Sequence, residues 1–162
     1  MSWVTKWLSD LRKKMTRSFL GENMSYSSYG LVGECIAMTS ILQRGYGCAM
    51  AQQDGCDLVC WDRNNIDTGN TFLVQVRSCQ LSRNHKNRLH FQLGMGGTKR
   101  MPTRQDYDIL ALVATEQRTV FFMPVYSVNC KKLTKTPDFF SNPEIEIESW
   151  KKTIEALNGK HN

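Results

Sequence analysis

The chain contains 162 residues, of which 41% are hydrophobic and 22% are charged, a composition typical of a folded globular domain. These values exclude an intrinsically disordered chain, a collagen and a long coiled coil, and the length favours one domain with its own core. No apolar segment approaches the roughly 20 residues that cross a bilayer as a helix, so we expect no membrane span. The formal net charge of +6 points weakly to a polyanionic partner.

Residues 3–19 predict an amphipathic helix, because apolar side chains recur at every fourth position from Trp3 onward. Five basic side chains in this segment oppose a single acid, Asp10. We expect a docking helix whose basic face is solvated. The alternatives are an arm that contacts DNA and a helix that lies on a membrane surface. We therefore expect the basic helix to form a separate N-terminal region over residues 1–22, and residues 23–162 to form the main domain.

The second predicted helix spans residues 30–44 and follows a linker rich in serine, tyrosine and glycine. Its apolar face is predicted to consist of Leu31, Cys35, Met38 and Leu42, with Ile41 widening it. Glu34 lies on or beside that face. A carboxylate facing a core is costly unless it is paired, binds a metal or lies at the edge of an active site.

Short strands and a final helix follow. The strands are predicted at residues 46–51, 57–61, 71–78, 107–115 and 119–126, and the helix at residues 143–158. Residues 62–70 are dense in turn-forming side chains, so the second and third strands are predicted to form a hairpin. This order of elements predicts an α+β fold with an α/β-like character, in which helices cover a mixed central sheet.

Several polar residues are predicted to meet at one edge of that sheet. Gln75 and Arg77 alternate along the third strand and therefore face the same side. If the hairpin forms, Asp57 on the second strand converges with Gln75, and Glu34 can reach them from the helix. Two carboxylates with an open coordination position suit magnesium, which activates water beside a phosphodiester.

The tract from residue 77 to residue 105 contains no acid and carries a formal charge of +7. Solvated faces usually mix both signs, so the tract indicates a polyanion-binding surface. The predicted phosphate contacts are Arg83, Lys86, Arg88, Lys99, Arg100 and Arg104. His85 and His90 are interpreted as phosphate contacts or plain surface residues, and a solvated basic loop is the alternative for Lys99 and Arg100.

The six cysteines are expected to be reduced and mostly buried, since several lie in apolar segments. Cys56 and Cys60 have the spacing C-x3-C, which is a weak zinc signal without an accompanying CxxC pair. The N-terminal residues lack the continuous apolar segment of a secretory signal. We therefore expect an intracellular protein.

The order and spacing of three motifs resemble the PD-(D/E)XK nuclease superfamily, with the group I intron-encoded homing endonucleases and the archaeal Holliday-junction resolvases as the most similar groups. The motifs are Gly33-Glu34, Gly55-Cys56-Asp57-Leu58 and Val74-Gln75-Val76-Arg77-Ser78. The strand pair at residues 107–113 and 120–125 and a C-terminal helix containing Trp150 are also similar. The resemblance covers roughly residues 30–157 and implies a restriction-endonuclease-like fold.

The resemblance also implies residue roles in a DNA endonuclease that depends on Mg²⁺ or Mn²⁺. Asp57 would be the main metal ligand, and Glu34 would bind the metal directly or through water. Gln75 occupies the second-acid position, and the backbone carbonyl of Val76 would be a further ligand. Arg77 replaces the usual lysine; it can orient water or stabilise a pentacoordinate phosphorus, but it stays protonated and cannot act as a base.

Two further expectations follow from the resemblance. An enzyme of this type cuts both strands of double-stranded DNA, with branched DNA as an alternative substrate. It has one active site per chain, so a homodimer or homotetramer is expected. The changes at Gln75 and Arg77 leave a second hypothesis open, a catalytically degenerate DNA-binding module with the same fold. A third hypothesis is a peripheral membrane protein that binds through residues 3–19.

Overall fold

The computed structural model describes residues 26–53, 55–64, 70–79, 87–97 and 99–159. The predicted helix at residues 3–19 lies outside these ranges, as do Arg83, His85 and Lys86. The described residues form a mixed five-stranded sheet, a two-stranded sheet and two helices. The predicted α+β class is therefore confirmed.

Helix α1 covers Tyr26–Gln43 and helix α2 covers Glu144–Asn158. The strands are β1 (Tyr46–Gln53), β2 (Cys56–Asp62), β3 (Thr71–Cys79), β4 (Leu89–Gln92), β5 (Ile109–Ala114), β6 (Thr119–Pro124) and β7 (Lys132–Lys135). Short 3-10 helices cover Val125–Ser127 and Pro137–Phe140. Neither α1 nor α2 has the length and apolar content that a membrane-crossing helix needs.

Most elements lie where the sequence predicts them, with three differences. Helix α1 begins at Tyr26, inside the segment predicted as a linker. Strand β4 lies within the basic tract that was predicted to be a connection, and β7 lies where no element was predicted. These two strands pair with each other and form the small second sheet.

The large sheet has the strand order β1-β2-β3-β5-β6. Strands β2 and β3 are antiparallel, with Leu58 opposite Val74, so the predicted hairpin is confirmed. Strands β3 and β5 are parallel, with Gln75 opposite Leu110. A parallel pair needs a long crossover, and the basic tract provides it. The crossover brings β4 and the residues before β5 to one face of the sheet.

Each face of the large sheet has its own hydrophobic core. The first core contains Val74 and Val76 of β3 together with buried side chains of both helices. Its central aromatic residue is Trp150, which makes edge-to-face contacts with Tyr46 and Phe122. The second core lies on the opposite face and contains Leu110 and Leu112 of β5, Phe91 of β4, Tyr107 and Phe140.

The predicted apolar face of α1 is wrong in part. Leu31 is 54% exposed and Cys35 and Leu42 are also exposed. Ile41 is buried and Met38 packs partly buried against the first core, as predicted, and the other buried positions are Gly33, Ala37 and Ser40. Small side chains let the helix approach β3 closely, since a Cβ atom at Gly33 would lie 2.5 Å from the Cβ of Ser78. The buried face of α1 therefore includes the small side chains that let the helix approach β3, whereas several of its larger apolar side chains are exposed.

An ion pair joins the two helices and the edge strand β6. The carboxylate of Glu146 lies 3.1 Å from the guanidinium of Arg44. It also accepts hydrogen bonds from the Ser40 hydroxyl at 2.6 Å and from the Val120 backbone amide at 2.9 Å. We call these four residues the Glu146 cluster. It fixes α1 and α2 against the same face of the sheet.

Candidate active site

The site is centred on Asp57, at the start of β2. Its Oδ2 atom accepts a hydrogen bond from the backbone amide of Val76 at 2.6 Å and another from the side-chain amide of Gln75. Asp57 is half-buried, and Gln75 is only 4% exposed. The antiparallel pairing of β2 and β3 therefore brings an acid and an amide together across the hairpin.

Arg77 lies two residues beyond Gln75 on the same face of β3. Its guanidinium donates to the backbone carbonyl of Val76 at 3.4 Å and to the sulfur of Met95 at 3.4 Å. Its positive charge favours the ionised form of Asp57 and acts to lower the pKa of that carboxyl. The cation therefore lies near enough to interact electrostatically with the central acid.

Glu34 approaches the same site from helix α1. The close contact between Gly33 and Ser78 places this part of the helix at the end of β3, where the Ser78 hydroxyl also donates to the carbonyl of Tyr29 at 3.3 Å. Burial and the negative charge of Asp57 both raise the pKa of Glu34. The two carboxylates interact electrostatically, so they lie on the same side of the molecule.

Burial is the main electrostatic feature of Asp57 as well. It raises the pKa of Asp57 above its ordinary value, against the opposing effects of the Val76 amide, Arg77 and Gln75. Two neighbouring carboxylates with raised pKa values form a site where negative charge is disfavoured. A bound cation would relieve this cost.

The donor atoms of the site fit a hard divalent cation. Asp57 and Glu34 offer carboxylate oxygens, Val76 offers a backbone carbonyl, and Gln75 carries an amide oxygen beside the nitrogen that faces Asp57. Oxygen ligands of this kind suit Mg²⁺ or Mn²⁺. Across the described residues, no group of three or more His, Cys, Asp and Glu side chains could hold a metal, so the cysteines there offer no zinc cluster.

None of the six cysteines forms a disulfide, and all six lie within the described ranges. Cys56 and Cys60 are buried, Cys48, Cys79 and Cys130 are half-buried, and Cys35 is exposed. Burial raises the pKa of the Cys48 thiol to about 11. That thiol is therefore protonated at neutral pH and is not a reactive nucleophile.

The described basic residues of the crossover divide into two groups. Arg88, Lys99 and Arg104 are exposed, and the guanidinium of Arg104 lies 5.3 Å from the centre of the Tyr126 ring. Arg100 is exposed but forms a two-point contact with Asp106, whose Oδ2 accepts one of its hydrogen bonds at 2.7 Å. The first group presents its charges to solvent, and Arg100 holds its own loop in place.

Sequence reasoning missed two residues of this region. Asp106 follows the acid-free tract directly, and its pairing with Arg100 depends on a loop that returns on itself through the bridge between Met95 and Arg100. Tyr107 was predicted only as the start of a strand. The sequence carries no signal for the contact of Asp106 with Arg100 or for the burial of the Tyr107 side chain.

His90 lies on β4, with a ring nitrogen 3.0 Å from the hydroxyl of Thr134 on β7. Its side chain is exposed. The residue therefore belongs to the small second sheet, away from the contacts that define the carboxylate site.

No protein-family model matches the chain, and no curated protein matches it. Among solved structures, the fold is similar to that of a bacterial homing endonuclease, I-Ssp6803I. The TM-score is 0.63, the alignment covers 86% of this chain and 99% of that one, and the sequence identity is 19%. The chain therefore has a fold like that of a homing endonuclease.

Proposed function

We propose that the chain is a metal-dependent DNA endonuclease of the PD-(D/E)XK type that hydrolyses phosphodiester bonds. The observation that carries the proposal is the contact of Asp57 with Gln75 and Val76, with Arg77 and Glu34 in electrostatic contact with the same acid. These positions match the motifs of that superfamily in order and in location on a helix and two strands. The similarity of the fold to a homing endonuclease supports the same proposal.

Asp57, Glu34, the Val76 carbonyl and the Gln75 amide oxygen would hold Mg²⁺ or Mn²⁺. When bound, the ion supplies an activated water and neutralises negative charge on the phosphate group. Gln75 contributes no charge of its own, so the site carries two negative charges where the superfamily motif has three acids. Asp57, whose Oδ2 atom accepts hydrogen bonds from both Gln75 and Val76, is the proposed main metal ligand.

Arg77 supplies positive charge beside Asp57. A guanidinium cannot accept a proton in a protein, so Arg77 does not act as the base. It can donate hydrogen bonds to phosphate oxygens and stabilise the charge of the pentacoordinate phosphorus.

The exposed cations of the crossover are proposed to contact the DNA backbone. Arg88, Lys99 and Arg104 present their charges to solvent, and Arg83 and Lys86 of the same tract lie outside the described residues. Each phosphate contact releases counterions, so affinity should fall as salt rises. Replacing Lys99 by alanine should reduce the slope of log affinity against log salt by about 1.

The proposed substrate is double-stranded DNA, and branched DNA is included. Cutting both strands with one site per chain requires two copies, so we propose a homodimer or homotetramer. An intracellular location fits this substrate. Replacement of the usual lysine by Arg77 also favours a second candidate, a DNA-binding module that has lost cleavage.

A plasmid-nicking assay with Mg²⁺ or Mn²⁺ separates the two candidates. The wild-type chain should nick or linearise supercoiled plasmid. Asp57→Asn should reduce the rate roughly 100-fold or more, the scale seen when one charge-stabilising group is removed from an active site. Asp62→Asn is the matched control at the other end of β2, and it should leave the rate within about twofold.

The same experiment has two outcomes that contradict the enzyme. DNA binding without cleavage in either metal would support the binding module. Cleavage that Asp57→Asn leaves unchanged would place the chemistry elsewhere in the protein. Circular dichroism of each variant should show a folded chain, so that loss of activity reports on the site.

A further inference from the structure

Helix α1 is apolar on the side that faces away from the sheet. Glu34 is the only charged residue among the 18 residues of the helix. Leu31 is 54% exposed, Leu42 is 36% exposed, and Cys35 between them is exposed as well. A surface helix usually presents charged side chains to water, whereas a helix that is apolar on all sides is normally buried. The outer side of α1 therefore has the composition of a covered surface.

Helix α2 packs on the same face of the sheet but has a different outer side. Its exposed positions include two ion pairs at i,i+4 spacing, Lys151 with Glu155 at 3.9 Å and Lys152 with Glu148 at 3.6 Å. Pairs of this kind are typical of a helix surface in contact with water. Of the two helices, α1 is therefore the one whose outer side is suited to a further layer of protein.

The apolar residues on the outer side of α1 form one stripe. They follow one another at intervals of four, three and four residues, which is the spacing of one side of a helix. We call these residues the α1 stripe: Leu31, Cys35, Met38 and Leu42. Met38 lies at its margin and also packs, half-buried, against the first core. The contact of α1 with the sheet uses mainly the opposite side of the helix, which contains Gly33, Ala37 and Ser40.

A segment of the same chain has the pattern needed to cover the α1 stripe. Residues 3–19 are predicted from the sequence to form an amphipathic helix, and they lie outside the described residues. The apolar positions of this segment repeat the intervals of four, three and four residues at Val4, Leu8, Leu11 and Met15. The predicted helix therefore has an apolar side with the same spacing as the α1 stripe.

The sequence positions of the two sets match an antiparallel pair of helices. Four pairs lie at equal distances in sequence from residue 23: Met15 with Leu31, Leu11 with Cys35, Leu8 with Met38, and Val4 with Leu42. Both helices would rise by about 1.5 Å per residue, so the members of each pair reach the same height if the chain turns near residue 23. Residues 20–25 are long enough for that turn, since short connections of this length commonly join antiparallel helices.

We propose that residues 3–19 form a helix that docks antiparallel on the α1 stripe of the same chain. The short connection through residues 20–25 favours this occupant over a second copy, because it raises the local concentration of the segment to the order of millimolar. Docking buries the apolar sides of both helices and leaves the basic side chains of the segment in water. This inference does not depend on the proposed nuclease function.

Cross-linking in the full-length chain tests the proposed register. Leu11→Cys places a thiol opposite Cys35, and a short bismaleimide should join the two within one chain, because packed helices lie about 8–10 Å apart. Lys13→Cys is the matched control, since residue 13 lies on the basic side of the predicted helix, and its thiol should not be joined to Cys35. Peptide mapping by mass spectrometry identifies the linked residues and separates them from links to the other cysteines.

The wild-type chain provides a second measurement that needs no variant. Cys35 is exposed among the described residues, so iodoacetamide should modify it at the rate of an unfolded thiol if nothing covers it. Docking predicts that Cys35 of the native chain reacts about tenfold or more slowly than Cys35 of the same chain unfolded in urea. Diluting the protein should not change this protection, because the contact lies within one chain.

Four results would overturn the proposal. Equal alkylation rates in the native and unfolded chain would show that the stripe is uncovered. A folded Leu11→Cys chain without an internal link to Cys35, or an equally efficient link from Lys13→Cys, would contradict the register. Links between two chains, with protection that is lost on dilution, would identify a second copy as the occupant. If circular dichroism shows that Leu11→Cys does not fold, the alkylation of the wild-type chain decides the question.

Discussion

Replacing Gln75 with glutamate tests the central contact of the site. The Gln75 side chain is almost fully buried and donates an N–H to the Oδ2 atom of Asp57. Gln75→Glu keeps the shape but replaces this donor with a carboxyl group. Two ionised carboxylates would then face each other in a partly buried site. We expect the variant to be less stable than the wild-type protein in the absence of metal, by an amount that depends on pH.

Protonation sets the upper limit of this penalty. A protonated carboxyl at position 75 can donate its O–H to Asp57 in place of the amide. The penalty therefore cannot exceed the free energy needed to keep that carboxyl protonated at the experimental pH. With an ordinary glutamate pKa of about 4.3 and about 1.36 kcal/mol per unit, that limit is about 3.7 kcal/mol at pH 7 and about 1 kcal/mol at pH 5.

The sign of the pH dependence follows from the direction of the pKa shift. The folded state raises the pKa of the new carboxyl above its unfolded value, because Asp57 disfavours a second negative charge. The penalty is therefore absent below the unfolded pKa and grows as pH rises toward the folded pKa. Stability relative to the wild-type protein should fall between pH 5 and pH 7.

Urea unfolding in EDTA at the two pH values measures this difference. Gln43→Glu is the control, since Gln43 is exposed at the end of α1 and its substitution should change stability by no more than about 0.5 kcal/mol. Mg²⁺ should stabilise Gln75→Glu more than the wild-type chain, because the variant adds a charged ligand. An equal penalty at pH 5 and pH 7 would refute the proposed contact between residue 75 and Asp57.

Two further predictions concern ion pairs outside the site. Glu146→Ala should cost about 3 kcal/mol in urea unfolding, since it leaves the guanidinium of Arg44 without its acidic partner, whereas Glu148→Ala at an exposed pair should cost less than about 0.5 kcal/mol. Equal costs would contradict the structural role of the Glu146 cluster. Arg100 holds the pKa of Asp106 well below its usual range, so thermal scans should show that the destabilisation by Asp106→Asn fades as pH falls through that lowered pKa.

Local patterns were sufficient to predict the hairpin and the shared face of Gln75 and Arg77. Turn residues identify the hairpin, and the alternation of a strand determines which side chains share a face. Those two facts bring Asp57 and Gln75 together without any tertiary information. The predicted roles of the residues remain predictions until activity is measured.

Contacts between distant segments could not be predicted from the sequence. The buried face of α1 is selected by the approach of Gly33 to Ser78, which overrides the periodicity of larger apolar residues. Strands β4 and β7 are four residues long and too short to produce a clear pattern. Each of these features requires the folded neighbours to be known.

The connectivity of the sheet places the carboxylate site and the exposed cations on different segments of the chain. Asp57 and Gln75 lie on adjacent strands of one hairpin, whereas the exposed cations lie on the crossover between β3 and β5. Under the proposed function, changes of length or composition in the crossover would alter which DNA is bound and how tightly, while the contact between Asp57 and Gln75 stays intact. Target preference and chemistry would then be encoded in separate segments of the chain.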